Sequence, residues 1–262
     1  MATTTDPARE LGEIAKRLSK GADAKGAAFL ASAFGVKAWS TPFFKIITCI
    51  LERADLVADI IRQSDMDEDT IEQAVEDLEW FKSAFSGNSL FSLWNTGGQG
   101  LTLMQQHGRS IQFFAPSVRK VVSYPKLSDE EIEELVGLID AYLEQAALVD
   151  DDHAFVRQAI FDGLTRFKFQ LEHMRWMGAG YVLATFRDVL WAVDVAQREQ
   201  HEAGNVDAAA ALQALVVIVT KFKEHIKTAQ GWADAGQSVW KAYQLGTSVV
   251  TPLLLAHQAN GG

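Results

Sequence analysis

Apolar residues recur every three or four positions along nearly the whole chain, and the period-two alternation that marks a β-strand is scarce. This spacing places apolar side chains on one face of an α-helix. It predicts an all-α fold of seven or eight helices. Because the chain has 262 residues, of which 48% are hydrophobic, it can bury a sizeable core without disulfides.

Capping signals indicate where the N-terminal helices begin. Asp6 before Pro7 resembles an N-cap with proline in the first turn, and it predicts a helix that ends near residue 20. Thr41 and Pro42 repeat the signal and predict a helix that ends near residue 63. The acidic run 65–69 favours a third helix start, since carboxylates stabilise the positive end of the helix dipole.

Glycine and proline indicate where this regular pattern stops. Gly87 is a candidate left-handed residue at the end of the third helix. From 88 to 127 the periodicity is weak and glycines and prolines are frequent, so we expect an irregular connection there. The predicted organisation is therefore an N-terminal helical part over 1–87, the connection over 88–127, and a C-terminal helical bundle over 128–262, or one continuous domain.

The C-terminal part carries the clearest helix signals. Ser128 and Glu131 form a capping-box pattern ahead of a regular apolar stripe. Further helices are predicted from 151 or 152 to about 174, from 181 to 200, from 207 to 230 and from 232 to about 258, with a kink or an end at Gly178 and Gly180. Because these helices are long and their connections short, we expect a core like that of a four-helix bundle.

The charges are unevenly distributed. The 24 Lys and Arg residues against 34 Asp and Glu residues give a formal net charge of −10, which makes nucleic acid an unlikely partner for the molecule as a whole. Eight acids and no Lys or Arg lie in 65–79, and ten acids and no Lys or Arg lie in 129–152. Residues 80–127 between them carry five Lys and Arg residues and no acid.

The acid-free stretch 80–127 allows two interpretations. Its cations can pack over the acidic helices and neutralise them within the molecule, with little energy gained per exposed pair. Alternatively, its basic and aromatic side chains form a surface for a protein partner or an anionic membrane, with Phe91 and Tyr124 nearby. The residues of this candidate binding surface are Arg109, Arg119, Lys120, Lys126, Trp94, Phe113 and Phe114.

Motifs for metals, cofactors and phosphates are poorly matched. The six histidines lack the Glu-x-x-His spacing of a di-iron bundle. The acids of 65–69 with Glu76 copy part of a calcium loop, but Thr70 stands where the loop needs glycine. The glycines of 97–100 are not followed by the Lys-Ser or Lys-Thr pair of a phosphate loop. We therefore predict no metal and no cofactor.

Local catalytic motifs are equally scarce. The single cysteine, Cys49, lies in the apolar stripe region of its helix, where a thiol is usually a small core residue. It cannot form an intramolecular disulfide, so a cytoplasmic location is expected. There is no Gly-x-Ser-x-Gly nucleophile elbow. No catalytic residue is assigned.

Four apolar stretches, 27–51, 178–196, 208–220 and 238–256, raise the question of a membrane. A membrane span needs about 20 successive apolar residues. Charged residues interrupt 178–196, and 208–220 is too short. These stretches instead suggest helices that attach to a bilayer or enter it under some conditions.

These observations favour a non-enzymatic helical protein that acts through protein–protein association, as an adaptor, a regulator or a self-assembling component. The first alternative is a conditionally membrane-associated protein that forms pores or remodels bilayers, with a location peripheral to or inserted in a membrane. The second is an enzyme whose site is assembled from distant residues, which leaves no local motif.

Overall fold

A computed structural model describes residues 4–97, 99–146, 154–190 and 206–227 of the chain. Most of these residues are helical, which confirms the predicted all-α class. Two short strands, β1 (Thr4–Thr5) and β2 (Tyr124–Pro125), pair with each other. Within these ranges, no helix is long and apolar enough to cross a membrane.

The chain forms two compact units. The described residues of the N-terminal unit are 5–97, 99–124 and Arg175–Gly178. Those of the C-terminal unit are Thr4, 125–146, 154–174, 179–190 and 206–227. Most of the stretch predicted as a connection, 88–124, therefore lies inside the N-terminal unit.

The N-terminal unit contains long helices and a series of short ones. The long helices are α1 (Pro7–Leu18), α2 (Gly26–Phe34), α3 (Thr41–Arg62) and α4 (Glu68–Ser83). The short segments are α5 (Gly87–Phe91), α6 (Gly100–Leu103), a π-helical turn (Met104–Gly108), a 3-10 helix (Ser110–Phe114) and α7 (Ala115–Val121).

The predicted helix starts of α1 and α3 are confirmed, with one correction. Asp6 caps α1 by accepting a hydrogen bond from the amide of Arg9 at 2.9 Å. The N-cap of α3 is Ser40 rather than Thr41, because the Ser40 hydroxyl accepts from the amide of Phe43. Proline occupies the first turn of both helices, where its missing N–H removes no hydrogen bond.

The predicted end of α4 is wrong. Gly87 does not terminate this helix, which ends at Ser83, and Gly87 instead begins α5. The start is as expected for an acidic helix N-terminus, because Asp67 caps α4 by accepting from the amide and the hydroxyl of Thr70 at 2.9 and 2.8 Å. One of the acidic residues that resemble a calcium loop, Asp67, is therefore the N-cap of a helix.

The stretch 88–127 is largely helical, contrary to the predicted irregular connection. Each of its helical segments has seven residues or fewer, and three of them follow one another through Arg109 over 104–121 with changes of helix type between them. Several predicted breakers lie at segment ends. Gly100 begins α6, Gly108 ends the π-helical turn, and Pro116 lies in the first turn of α7.

The C-terminal unit contains α8 (Asp129–Ala146), α9 (Ala154–Glu172), α11 (179–190) and α12 (Val206–Lys227), and the short α10 (Met174–Met177) precedes α11. The capping box at the start of α8 is confirmed, since the amide of Ser128 donates to Glu131 at 2.7 Å and the amide of Glu131 donates to the Ser128 hydroxyl at 3.2 Å. The helix predicted over 232–258 lies outside the described residues.

Aromatic rings from three helices meet in the core of this unit. Phe167 of α9 lies 5.6 Å from Phe186 of α11 and 5.1 Å from Phe222 of α12, measured between ring centroids. The Phe186 and Phe222 centroids are 4.1 Å apart. Helix α8 packs against both α9 and α12. These contacts bring apolar side chains of α9, α11 and α12 together, and α8 packs beside α9 and α12.

Gly178 follows α10 in the left-handed conformation, with φ of +96°, which confirms the predicted break at this position, whereas Gly180 lies within α11. A Cβ atom at this position would lie 2.2 Å from Nη1 of Arg53 and 2.7 Å from Oε2 of Glu10. Arg53 is buried, Glu10 is largely buried, and the two side chains are ion-paired with each other. The position therefore requires glycine for its backbone conformation and for its lack of a side chain.

We expect Gly178→Ala to lower the free energy of unfolding by about 2–4 kcal/mol, because left-handed strain adds to a displaced ion pair. Urea denaturation measures the change. The matched control is Gly87→Ala in the same unit, where a new Cβ meets nothing within 4 Å. The control should shift the unfolding free energy by about 0.5 kcal/mol at most. Equal effects of the two substitutions would contradict this prediction.

Candidate interaction surfaces

Four side chains of the predicted binding surface lie on one nearly continuous helical run, residues 104–121. The π-helical turn, the 3-10 helix and α7 follow one another through Arg109, which itself has right-handed helical dihedral angles. Arg109, Phe113 and Lys120 are spaced by four and seven positions, and Arg119 adjoins Lys120. All four are exposed, and we call them the basic face.

The opposite side of the same run is buried. Its residues repeat at the helical spacing of three and four positions. They are Met104, Gly108, Ile111, Ala115 and Val118. Because this stripe packs against α1 and α4, the basic face points away from the core.

The cations of the basic face differ in their partners. Arg119 donates from Nη2 to Oδ2 of Asp6 at 2.9 Å and from Nε to the same oxygen at 3.2 Å. Asp6 is fully buried and also caps α1, so this pair links α7 to the start of α1. Among the described residues, no hydrogen bond or ion pair engages the side chains of Arg109 and Lys120.

Other residues of the predicted surface lie elsewhere. Trp94 does not belong to an exposed surface, because it is fully buried and its indole N–H donates to the carbonyl of Leu18 at 3.1 Å. Tyr124 is also buried, and Phe114 is half-buried. Lys126 belongs to the C-terminal unit. An indole needs a hydrogen-bond partner when buried, and Leu18 at the end of α1 supplies one.

A second exposed surface comes from two segments that are distant in the sequence. Trp39 in the loop before α3, Phe44 in the first turn of α3, and Phe91 at the end of α5 are 45%, 46% and 66% exposed. The Trp39 and Phe91 rings stack with centroids 4.9 Å apart and planes at 22°, and Phe44 lies 6.0 Å from Trp39. We call these three side chains the aromatic patch.

The aromatic patch is supported by rings that reach into the core. Phe43, which is fully buried, lies 6.0 Å from Trp39 and 5.5 Å from Phe44. Phe43 also contacts Phe34 at 6.0 Å, and Phe34 meets the edge of Trp176 at 5.0 Å. The exposed rings are therefore held by a buried aromatic base rather than by solvent-exposed neighbours alone.

The backbone at the centre of the aromatic patch is strained. Trp39 has a φ of +64°, in the left-handed region that costs a residue other than glycine roughly 1–2 kcal/mol. Such strain persists only where the surrounding structure fixes it, and it concentrates at functional sites. Here the strained conformation holds the Trp39 ring against Phe91 and outward into solvent.

Sequence reasoning placed Phe91 near the basic residues but did not find the aromatic patch. Its members are separated by up to 52 positions, and the conformation of Trp39 has no signature in sequence. One available signal was charge. Residues 24–51, like residues 80–127, contain no Asp or Glu, so both segments that build the patch are acid-free.

A polar cluster joins α4 to the helical run. Asp77, which is buried, lies 2.9 Å from Nδ1 of His107 and accepts from the Ser110 hydroxyl at 2.5 Å. The His107 ring stacks on Trp80 with centroids 5.7 Å apart. In a Ser-His-Asp triad the serine hydroxyl donates to the imidazole, whereas Ser110 lies against Asp77 and the carbonyl of His107. The hydrogen bonds of this cluster therefore connect α4 to the helical run 104–121.

Titratable groups elsewhere are engaged in the fold. His225 lies 3.2 Å from a carboxylate oxygen of Glu131 and 3.1 Å from one of Glu134, and His173 contacts the carbonyl of Phe169. In the part of the chain that the structure describes, no group of three or more His, Cys, Asp or Glu side chains could hold a metal ion. His153, His201 and His257 lie outside that part.

Cys49 is buried in α3, as its place in the apolar stripe region predicts. Burial raises the pKa of the Cys49 thiol to about 12, with the Glu52 carboxylate acting in the same direction and Arg53 and Lys45 opposing it. The reactive form of cysteine is the thiolate. The side chain therefore acts as a small core residue.

No family model, curated protein or solved structure matches this chain. The interpretation of the basic face and the aromatic patch therefore depends on their own chemistry. Both surfaces belong to the N-terminal unit, and both lie in acid-free segments.

The Cys49 thiol should resist modification in the folded protein. A pKa of about 12 leaves a thiolate fraction on the order of 10⁻⁴ at pH 8. We expect negligible reaction with Ellman's reagent in native buffer and complete reaction in urea. The measurement is absorbance of the released thiolate over time. Rapid stoichiometric reaction of the native protein would contradict the burial of Cys49.

The strained backbone at Trp39 predicts a ranking of two substitutions. Trp39→Gly and Trp39→Ala both remove the ring, but only glycine adopts a positive φ without strain. We expect the glycine variant to be more stable by about 1 kcal/mol in urea denaturation. As a control, Phe44→Gly should be less stable than Phe44→Ala, because Phe44 lies within a helix. A more stable alanine variant at position 39 would show that the left-handed conformation is absent.

Proposed function

We propose that this protein is non-enzymatic and acts by binding a protein partner through the aromatic patch. The observation that supports this proposal is the stacked pair Trp39 and Phe91, which remains 45% and 66% exposed. Large rings in contact with each other normally lie in a core, since their burial is strongly favourable. Rings that cluster at the surface are typical of an interaction site.

The support beneath the patch favours recognition of a folded partner. Trp and other aromatic residues are enriched among the residues that dominate binding energy at interfaces. Binding is weakened by the entropy lost when mobile side chains become fixed. Here Phe43 and the strained backbone of Trp39 already hold the rings in place, so less entropy remains to be lost.

The surroundings of the patch indicate the chemistry of the partner. Lys37, which is exposed, lies two positions before Trp39 in the acid-free segment 24–51. A partner with an apolar groove rimmed by acidic side chains would match both the rings and this cation. Such a partner is either a different protein, for which this chain serves as an adaptor or regulator, or a second copy of this chain.

The proposal is tested with the variant Phe44→Ala/Phe91→Ala, in which two exposed rings are removed while the buried Phe43 stays. Tagged wild-type protein is used to capture partners from the source cells, and sedimentation velocity measures self-association. A captured protein is then purified, and its Kd is measured by calorimetry. We expect the double variant to weaken binding about 30-fold or more, as loss of a hot-spot ring does.

The matched control is Phe113→Ala, which removes an exposed ring outside the aromatic patch. It should bind the partner like the wild type. Circular dichroism and thermal denaturation verify that all variants fold. The proposal fails if the double variant binds every purified partner and self-associates as the wild type does.

A further inference from the structure

The basic face combines cations with one highly exposed aromatic ring. Phe113 is 75% exposed, the largest exposure among the exposed large hydrophobic residues of the described part. Arg109 and Lys120 lie on the same face of the helical run, four positions before and seven positions after Phe113. Val121, at the end of α7, is 48% exposed. The face thus presents apolar groups between positive charges.

We propose that the basic face docks the N-terminal unit onto the surface of an anionic lipid bilayer. Phe113 enters the headgroup region, while Arg109 and Lys120 contact lipid phosphates on either side of it. This contact is peripheral. It uses the outward side of a helical run whose other side, with Ile111 and Val118, is packed in the core.

Charge complementarity supports an anionic surface as the occupant. The segment 80–127 carries no Asp or Glu, and Asp6, the acid that Arg119 contacts, is fully buried. Helix α4 packs beside the run and brings acids with it. Of these acids, Asp77 is turned to His107 and Ser110, and Glu76 accepts from the indole of Trp80. Residues 80–127 carry a formal charge of +5, and the rest of the chain carries −15, from 19 Lys and Arg against 34 Asp and Glu, so the molecule should approach an anionic membrane with this face forward.

Phe113 favours a bilayer over nucleic acid or an acidic protein. A duplex would be bound by more phosphate contacts than Arg109 and Lys120 provide, and the remaining charge of the chain would repel it. An exposed ring at an acidic protein surface would need a fitted pocket. In a bilayer, a single ring gains from partition into the interfacial region without any fitted pocket.

The test is flotation of the full-length protein with vesicles of phosphatidylcholine alone or of an equimolar mixture with phosphatidylserine. We expect binding to the mixed vesicles that weakens as NaCl is raised, and much weaker binding to the neutral ones. The variant Arg109→Gln/Lys120→Gln should lower the partition coefficient about 30-fold, since each basic residue near the surface strengthens binding roughly fivefold. Phe113→Ser should lower it several-fold as well.

The matched control is Lys20→Gln/Lys25→Gln, which removes the same charge from two exposed lysines of the α1–α2 connection. It should bind mixed vesicles like the wild type, and thermal denaturation verifies that every variant folds. The proposal is overturned if mixed vesicles do not bind, if the two double variants bind equally, or if neutral vesicles bind as well as anionic ones. Gel-shift binding of duplex DNA without vesicle binding would assign the face to nucleic acid and also overturn it.

Discussion

The ion pair between Arg53 of α3 and Glu10 of α1 is the interaction on which the N-terminal unit most depends. Nη1 of Arg53 lies 2.7 Å from Oε2 of Glu10, and the two side chains are only 4% and 11% exposed. Nη2 of Arg53 donates to the carbonyl of Trp176. Removing one partner of a buried pair typically destabilises a protein by about 3–5 kcal/mol, since the other charge remains buried. Three elements must therefore meet at this point, namely α1, α3 and the segment 175–178. Burial also raises the pKa of the nearby Tyr124 phenol, so this group stays neutral.

Ion pairs within the molecule neutralise only some of the unevenly distributed charges. Lys82, from the acid-free stretch, lies within 2.8 Å of carboxylate oxygens of Asp55 and Glu79, so one basic residue does neutralise the acidic helix α4. Arg119, in contrast, contacts Asp6, which lies outside both acid-only stretches. Acidic residues of α8 form ion pairs within their own unit, as Asp140 does with Lys168. Internal neutralisation of an acidic helix therefore holds for Lys82, whereas a binding surface on the same stretch is a proposal.

The sequence was sufficient for features determined by neighbouring residues. The Asp6 cap and the capping box of α8 depend on side chains within three positions of each other, and both form as predicted. The short helices between 88 and 121 were missed because Gly100, Gly108 and Pro116, which predict breaks, lie within or at the ends of helical segments. Trp94 was misassigned because its partner, the carbonyl of Leu18, is 76 positions away. The aromatic patch was missed for the same reason, since its rings come from two distant segments and Trp39 needs a backbone conformation that sequence does not reveal.

The two surfaces differ in what lies beneath their aromatic rings, and this difference is the reason for proposing a different kind of partner for each. Trp39 rests on the buried Phe43 and on a strained backbone, so its position is fixed before any partner arrives. A fixed ring suits a partner with a fixed pocket, because complementarity then needs little reorganisation. Phe113 projects from a 3-10 helix with three quarters of its side chain in solvent. Fluid lipid adapts to such a ring and requires no complementary shape, and in the proposed contact Arg109 and Lys120 would select anionic lipid. The proposed protein partner and the proposed bilayer would therefore use separate surfaces of the N-terminal unit.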